Sequence, residues 1–157
     1  MTPIRSPPKD VPFEAYDVTQ TGGKYLCGML RCVLAECDSV ATGELSACLD
    51  VSRASVTEMV EKFSEEGLVD HEYYKGATLT VDGEALARHL HWRRCVIEHF
   101  FENELELSID ADRAYRIGYE FPAVGIDGLA ERLAHPCDEQ CQAEAVADCP
   151  RLTISET

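Results

Sequence analysis

The sequence predicts a mostly α-helical fold with one short β-hairpin, and three observations carry that prediction. Apolar residues recur at helical spacing in separate stretches: Leu26, Leu30, Val33 and Leu34, then Val56, Met59, Val60 and Phe63, then Leu86, Leu90, Val96, Ile97 and Phe100. One pair of β-like runs stands out, LVDHEYY (68–74) and ATLTV (77–81), held apart by Lys75-Gly76 as in a tight hairpin. Apolar residues make up 45% of the 157. That suffices for one domain, or one small domain with an appendage, whose modest core a partner subunit could complete.

Taken in order, residues 1–20 hold four prolines and no apolar run, and read as a loosely held arm with no signal peptide. Gly22-Gly23 opens the first helix, KYLCGMLRCVLAEC (24–37), which Asp38-Ser39 breaks. The second helix lies in VATGELSACLDV (40–51), with Thr42 placed to cap it and Leu45, Cys48 and Leu49 on its inner side. Ser52-Arg53 reads as a turn. Ser52 or Ala54-Ser55 then starts a third helix, closed by Gly67. Beyond the hairpin runs a long helix, VDGEALARHLHWRRCVIEHFFENEL (81–105), followed by shorter ones in IDADRAYRIGYEF (109–121) and GIDGLAERL (125–133). The remainder, HPCDEQCQAEAVADCPRLTISET (135–157), is a polar, Cys-rich tail.

Net charge is -15, from 29 acidic against 14 basic residues, and the lysines are only Lys9, Lys24, Lys62 and Lys75. An acidic, Lys-poor surface suits a halophilic protein kept soluble in concentrated salt; an ordinary acidic protein is the plainer alternative. In concentrated salt the counterion-release part of DNA binding is weak, so net acidity does not exclude a nucleic-acid partner. No run approaches the roughly 18–20 apolar residues of a membrane span, so the expected protein is soluble and cytoplasmic, with no membrane partner. In such a compartment eight cysteines suggest thiols, metal ligands or sensors before disulfides.

Helix, helix, turn, helix, hairpin is the order of a winged helix-turn-helix, whose third helix presents its N-terminal residues to base edges in the major groove. The segment ELSACLDVSRASVTEMVEKFSEEGLVDHEYYKGATLTVDGEALARHL (44–90) resembles the DNA-binding half of the diphtheria toxin repressor and manganese transport regulator family of metal-dependent repressors. The resemblance rests on SxxSVTxMVxKxxxxGLV, on the wing ExYxGxxLTxxG and on the long helix that follows, and extends over roughly residues 24–134. It implies a winged helix-turn-helix over 21–83, an all-helical dimerisation and sensor domain over 84–134, and a homodimer on a palindromic double-stranded operator.

Short hydroxyl residues at a helix N-terminus can bind phosphate, and arginine can read guanine or phosphate. Ser52, Arg53, Ser55 and Thr57 are the expected DNA contacts, with Lys75 at the wing tip between Tyr74 and Gly76. A helix cap alone would account for Ser52 or Ser55. Glu58 and Glu61 on the same helix would repel phosphate unless turned away.

The resemblance also implies a divalent metal (iron, zinc or manganese) joining the first helix to the long helix and the next one. At the corresponding positions this chain retains Glu98 and Glu120, but has Arg94 in place of a histidine, Ile117 and Phe121 in place of two further ligands, Lys24 on the first helix, and Cys27 where a glutamate is usual. A cation and two apolar groups cannot ligate a metal, so this site reads as degenerate, with Arg94 free to pair with Glu98 at i,i+4. Two substitutes present themselves. His91, Cys95 and Glu98 share one helical face and could hold a thiophilic ion with Cys27, although cysteines on a packed helix are commonly core residues. The tail offers His135, Cys137, Cys141 and Cys149 in H-x-C-x3-C-x7-C, which could bind zinc or an iron–sulfur cluster, form a redox pair at Cys137 and Cys141, or do neither. Cys27, Cys32 and Cys37 repeat every five residues and do not share a helical face. His89 and His99 read as surface residues.

The leading expectation is a dimeric winged-helix regulator that responds to a metal or to redox state. A constitutive DNA-binding protein with no metal and a lost sensor, or a winged helix used for protein contacts, are the alternatives. No nucleophile–base pair, phosphate loop or paired catalytic carboxylates point to an enzyme.

Overall fold

The computed structural model describes residues 18–35, 41–72, 76–137, 140–145 and 148–149. Most of the Pro-rich arm, the Asp38-Ser39 break, Cys37, the wing tip Tyr73, Tyr74 and Lys75, and the end of the tail lie outside the described residues. The element order is α1 (Gln20–Leu34), α2 (Thr42–Leu49), α3 (Arg53–Glu65), β1 (Val69–Glu72), β2 (Gly76–Leu79), α4 (Val81–Glu104), α5 (Ala111–Glu120) and α6 (Ala123–Arg132). Two compact units result, residues 1–87 with 143–157, and residues 88–142. The change of unit falls inside α4, a few residues beyond the break at 83 drawn from the sequence.

In the first unit the helices start and stop for local reasons. Thr19 caps α1 by accepting the Gly22 N–H at 2.9 Å, so the helix begins ahead of the two glycines rather than after them. Gly22 has to be small, because a Cβ there would lie 3.2 Å from the Phe63 ring of α3. Thr42 is the first residue of α2 and not its cap; Ala41 fills the cap position without a side-chain bond. Asp50 takes the left-handed conformation (φ 55°) that ends α2, and this moves the turn one or two residues ahead of Ser52-Arg53. Arg53 is accordingly the first helical residue of α3.

α3 packs against α2, α1 and β1 through Val56, Val60 and Phe63, which join Tyr25, Leu26, Met29, Leu30, Leu45 and Leu68 among the buried side chains. Gly67, at φ 77°, ends α3 where an L side chain would be strained. β1 and β2 pair antiparallel, Val69 opposite Leu79 and Glu72 opposite Gly76. The LTxxG of the wing has a concrete purpose here. The Thr80 hydroxyl donates to the Gly67 carbonyl at 2.7 Å and accepts the Gly83 N–H at 3.1 Å. A Cβ on Gly83 would sit 1.9 Å from the Leu68 carbonyl oxygen. The motif thus locks the first turn of α4 onto the chain leaving α3.

The second unit is built on α4 from Arg88 onward. Trp92, Val96, Ile97, Ala114, Ile126 and Ala130 form its buried centre, with Phe101, Ile109, Phe121, Leu129 and Leu133 packed against it. Asp110 caps α5 by accepting the Arg113 N–H at 2.8 Å. The first part of the tail is tied to α4. The Trp92 indole N–H donates to the Cys137 carbonyl at 3.1 Å, the Arg88 guanidinium donates to the Cys141 carbonyl at 2.8 Å, and the Cys141 N–H returns to the Arg88 carbonyl at 3.0 Å. His89 and His99 are half-buried rather than on the surface, with rings 5.6 Å from Trp92 and 5.4 Å from His135 respectively.

Candidate nucleic-acid interface and metal-ligand positions

The exposed side of α3 begins at its cap. Ser52 Oγ accepts the Ser55 N–H at 3.1 Å and donates to Ser55 Oγ at 2.9 Å. Thr57 Oγ1 donates to the Arg53 carbonyl at 3.0 Å. These hydroxyls therefore have local work: Ser52 is a helix cap, as the plainer reading had it, and Thr57 bonds back one turn. Ser52, Arg53, Ala54, Ser55, Thr57, Glu58, Glu61 and Lys62 are all exposed. With Val56, Val60 and Phe63 buried, helical geometry puts Ala54, Glu58 and Glu61 at the middle of the outward face, and Arg53 and Thr57 on its flank. Neither glutamate is turned away. The Arg53 guanidinium lies along α2, where a Cβ on Gly43 would come within 2.9 Å of it. Gly43 thus gives Arg53 its room, a relation that sequence spacing did not announce. Lys75 lies outside the described residues.

The metal-ligand candidates do not all come together. Cys27 is half-buried on α1, and its thiol donates to the Ala87 carbonyl at 3.9 Å. His91 and Cys95 are both buried, with His91 Nε2 3.6 Å from Cys95 Sγ across one turn of α4. Glu98 does not join them; its Oε1 is 2.8 Å from Arg94 Nε in a buried ion pair. The Nε–H is not aimed at that oxygen, so the contact is one of charge with charge more than a linear hydrogen bond. Glu120, the last residue of α5, is exposed.

In the tail, His135 Nδ1 accepts the Cys137 N–H at 3.1 Å, while Cys141 is buried and Cys149 groups with the first unit. Among the described residues, His135, Cys137 and Cys141 do not converge on one point. The backbone ties of 137 and 141 to α4 hold them apart along that helix.

Residues 19–77 match the model of the iron dependent repressor family, N-terminal DNA binding domain. The resemblance to metal-dependent repressors read from the sequence is thus borne out over the DNA-binding segment. It is 35% identical over 72 residues to the HTH-type transcriptional regulator MntR of Lysinibacillus sphaericus, a match that covers 46% of this chain and 50% of that one. The chain thus spans about half the length of the curated relative. Two solved structures are similar over 73% of the chain: the manganese regulator SloR, at TM-score 0.65 and 26% identity over 54% of its length, and a manganese-dependent transcriptional repressor in complex with manganese, at TM-score 0.66 and 27% identity over 53% of its length.

The family resemblance implies a divalent cation held partly by α4 and α5, and the residues present do not fit one. Arg94 occupies Glu98, Phe121 packs into the apolar centre of the second unit, Ile117 has no donor atom, and Glu120 faces outward. A hard ion needs several converging oxygen or imidazole donors, and positions 94, 98, 117, 120 and 121 do not supply them. Sequence reading found Arg94 and missed Arg93. The Arg93 guanidinium is buried and donates through Nε to the Gly118 carbonyl at 2.7 Å and through Nη2 to the Phe121 carbonyl.

Proposed function

We propose that this chain is a cytoplasmic, dimeric transcriptional regulator and not an enzyme, reading a palindromic double-stranded operator with the exposed N-terminal half of α3. The observation that carries the reading is the local construction of α3. It is capped at Ser52 and clamped by its apolar face. It leaves Arg53, Ser55 and Thr57 exposed on the flanks of its outward face, within a segment that a DNA-binding domain family matches. DNA recognition by such a helix needs its first turn rigid, because side chains that meet base edges pay for disorder in affinity. Glu58 and Glu61 on the same face weaken attraction to phosphate. An operator recognised in concentrated salt, where long-range charge is screened, fits that face best.

Leu86, Leu90, Val96 and Ile97 are buried within the chain itself, so they are not the surface left for a partner. Among the described residues, the large apolar side chains left exposed in the second unit are Leu105, Leu107, Ile117 and Val124, and these are the surface a two-fold partner would cover.

For the effector, the buried His91–Cys95 pair is the best soft-ligand arrangement in the second unit. An imidazole nitrogen and a thiol one turn apart suit zinc or ferrous iron over manganese, and suit an oxidant acting on the thiol. The test is binding of the intact protein to DNA upstream of its own gene, by fluorescence anisotropy at molar salt, with chelator, with each metal and with reductant or oxidant. Binding modulated by zinc, iron or oxidant supports the whole reading. No sequence-selective binding under any condition refutes the regulator assignment.

A further inference from the structure

We propose that Arg93 and Arg94 are built-in cations, the first joining α4 to the end of α5 and the second neutralising Glu98, so that the folded, DNA-competent form of the second unit needs no hard divalent metal at positions 94, 98, 117, 120 and 121. The first support is what Arg93 holds. Its guanidinium donates to the carbonyls of Gly118 and Phe121, both at the C-terminal end of α5, where unpaired carbonyls and the helix dipole concentrate negative charge. One buried side chain of α4 therefore fastens the end of α5 and the turn into α6 in a single fork, the geometry arginine offers and lysine does not.

The second support is spacing. A Cβ on Gly118 would lie 3.0 Å from the Arg93 carbonyl carbon and oxygen and 3.2 Å from the Arg94 nitrogen. α4 and α5 thus meet backbone to backbone at this point. The third is the Arg94–Glu98 pair, whose side chains are 10% and 11% exposed. An incoming cation would have to take Glu98 from Arg94 and so break a buried ion pair, a costly exchange. Two arginines thereby supply the positive charge and the cross-link, and neither can be chelated away.

The proposal rests on the regulator reading only where it speaks of DNA, and its test separates the two. Full-length protein is stripped with a strong chelator, and its thermal unfolding is followed with and without manganese(II). A manganese site saturated about 100-fold over its Kd would raise the melting temperature by roughly 5–10 °C. No rise is expected. Arg93→Met should lower the melting temperature by roughly 5–10 °C, with no recovery on adding manganese. Should that variant fail to fold, the wild-type titration alone decides. The DNA arm uses the same stripped protein on its own upstream region, where selective binding is expected without manganese. A rise in wild-type melting temperature with manganese, or binding that appears only with manganese, overturns the proposal. An unaltered melting temperature with no DNA binding under any condition sustains the built-in cations and removes the regulator reading instead.

Discussion

Replacing Gly118 with alanine tests the close approach of α4 and α5, and two opposing effects decide the sign. In an open helix the change would stabilise by up to about 1 kcal/mol, since glycine gives up more backbone freedom than alanine. At Gly118 the new methyl meets the Arg93 carbonyl carbon and oxygen at 3.0 Å and the Arg94 nitrogen at 3.2 Å. These are main-chain atoms inside a long helix and cannot rotate aside. Overpacking of that kind costs roughly 1–3 kcal/mol. Pushing α5 outward also stretches the 2.7 Å bond from Arg93 to the Gly118 carbonyl, a charged hydrogen bond worth about 1.5–3 kcal/mol. The clash and the weakened bond together exceed the propensity gain, leaving a net loss of about 1–3 kcal/mol, which lowers the melting temperature by roughly 2–12 °C. Gly128 in α6 is the control, because a Cβ there meets nothing within 4 Å. Gly128→Ala should therefore raise the melting temperature by roughly 2–4 °C. Thermal unfolding of the two variants beside wild type gives the answer. If Gly118→Ala proves as stable as Gly128→Ala, the helices do not meet at Gly118 and the reasoning fails.

Other outcomes follow from the same structure. Arg53→Ala should weaken operator binding by roughly 1–3 kcal/mol if the guanidinium reads a base, with thermal stability unchanged because the residue is exposed; equal affinity for operator and variant would remove Arg53 from the interface. Glu58→Gln should strengthen binding by up to about 1 kcal/mol at low salt and by less as salt rises, and a salt titration by anisotropy would expose a face that never meets phosphate by showing no change. Cys95→Ala should remove any response to zinc or oxidant while leaving DNA affinity in the reduced, metal-free protein intact; an unaltered response would place the effector elsewhere.

The helices were legible because their apolar faces have the right period. In α3 Val56, Val60 and Phe63 are buried and Met59 is half-buried, and Ser52, one of the two starts the sequence allowed, is the kind of residue that satisfies a first-turn N–H. Boundaries were less legible. Thr42 looks like a cap in sequence, but Asp50 and Ala41 set the ends of α2 through backbone conformation, which composition does not reveal. The long helix shows one apolar face in sequence, whereas it is buried from Gly83 to Arg88 and again from Leu90 to Glu98. Its buried Arg88, His91, Arg93, Arg94 and Glu98 look like surface charge in sequence, and only their placement in three dimensions separates them from one. Arg94–Glu98 was predictable because helix geometry sets i,i+4 neighbours. Arg93 was not, because its partners are carbonyls of another helix and every residue has a carbonyl. The tail was hard to read for a related reason. Cys137 and Cys141 are held to α4 by main-chain bonds, so their spacing in sequence does not govern where their sulfurs lie.

The claim on which the rest depends is that α3 reads DNA, and footprinting on the upstream region with a hydroxyl radical tests it most directly. A two-fold dimer should protect two patches about one helical turn, roughly 34–36 Å, apart. The pattern should persist after chelation and vanish in a Ser52→Ala, Arg53→Ala double variant that remains folded. Protection that survives in the double variant, or none in the wild type at any salt or metal concentration, would contradict the account.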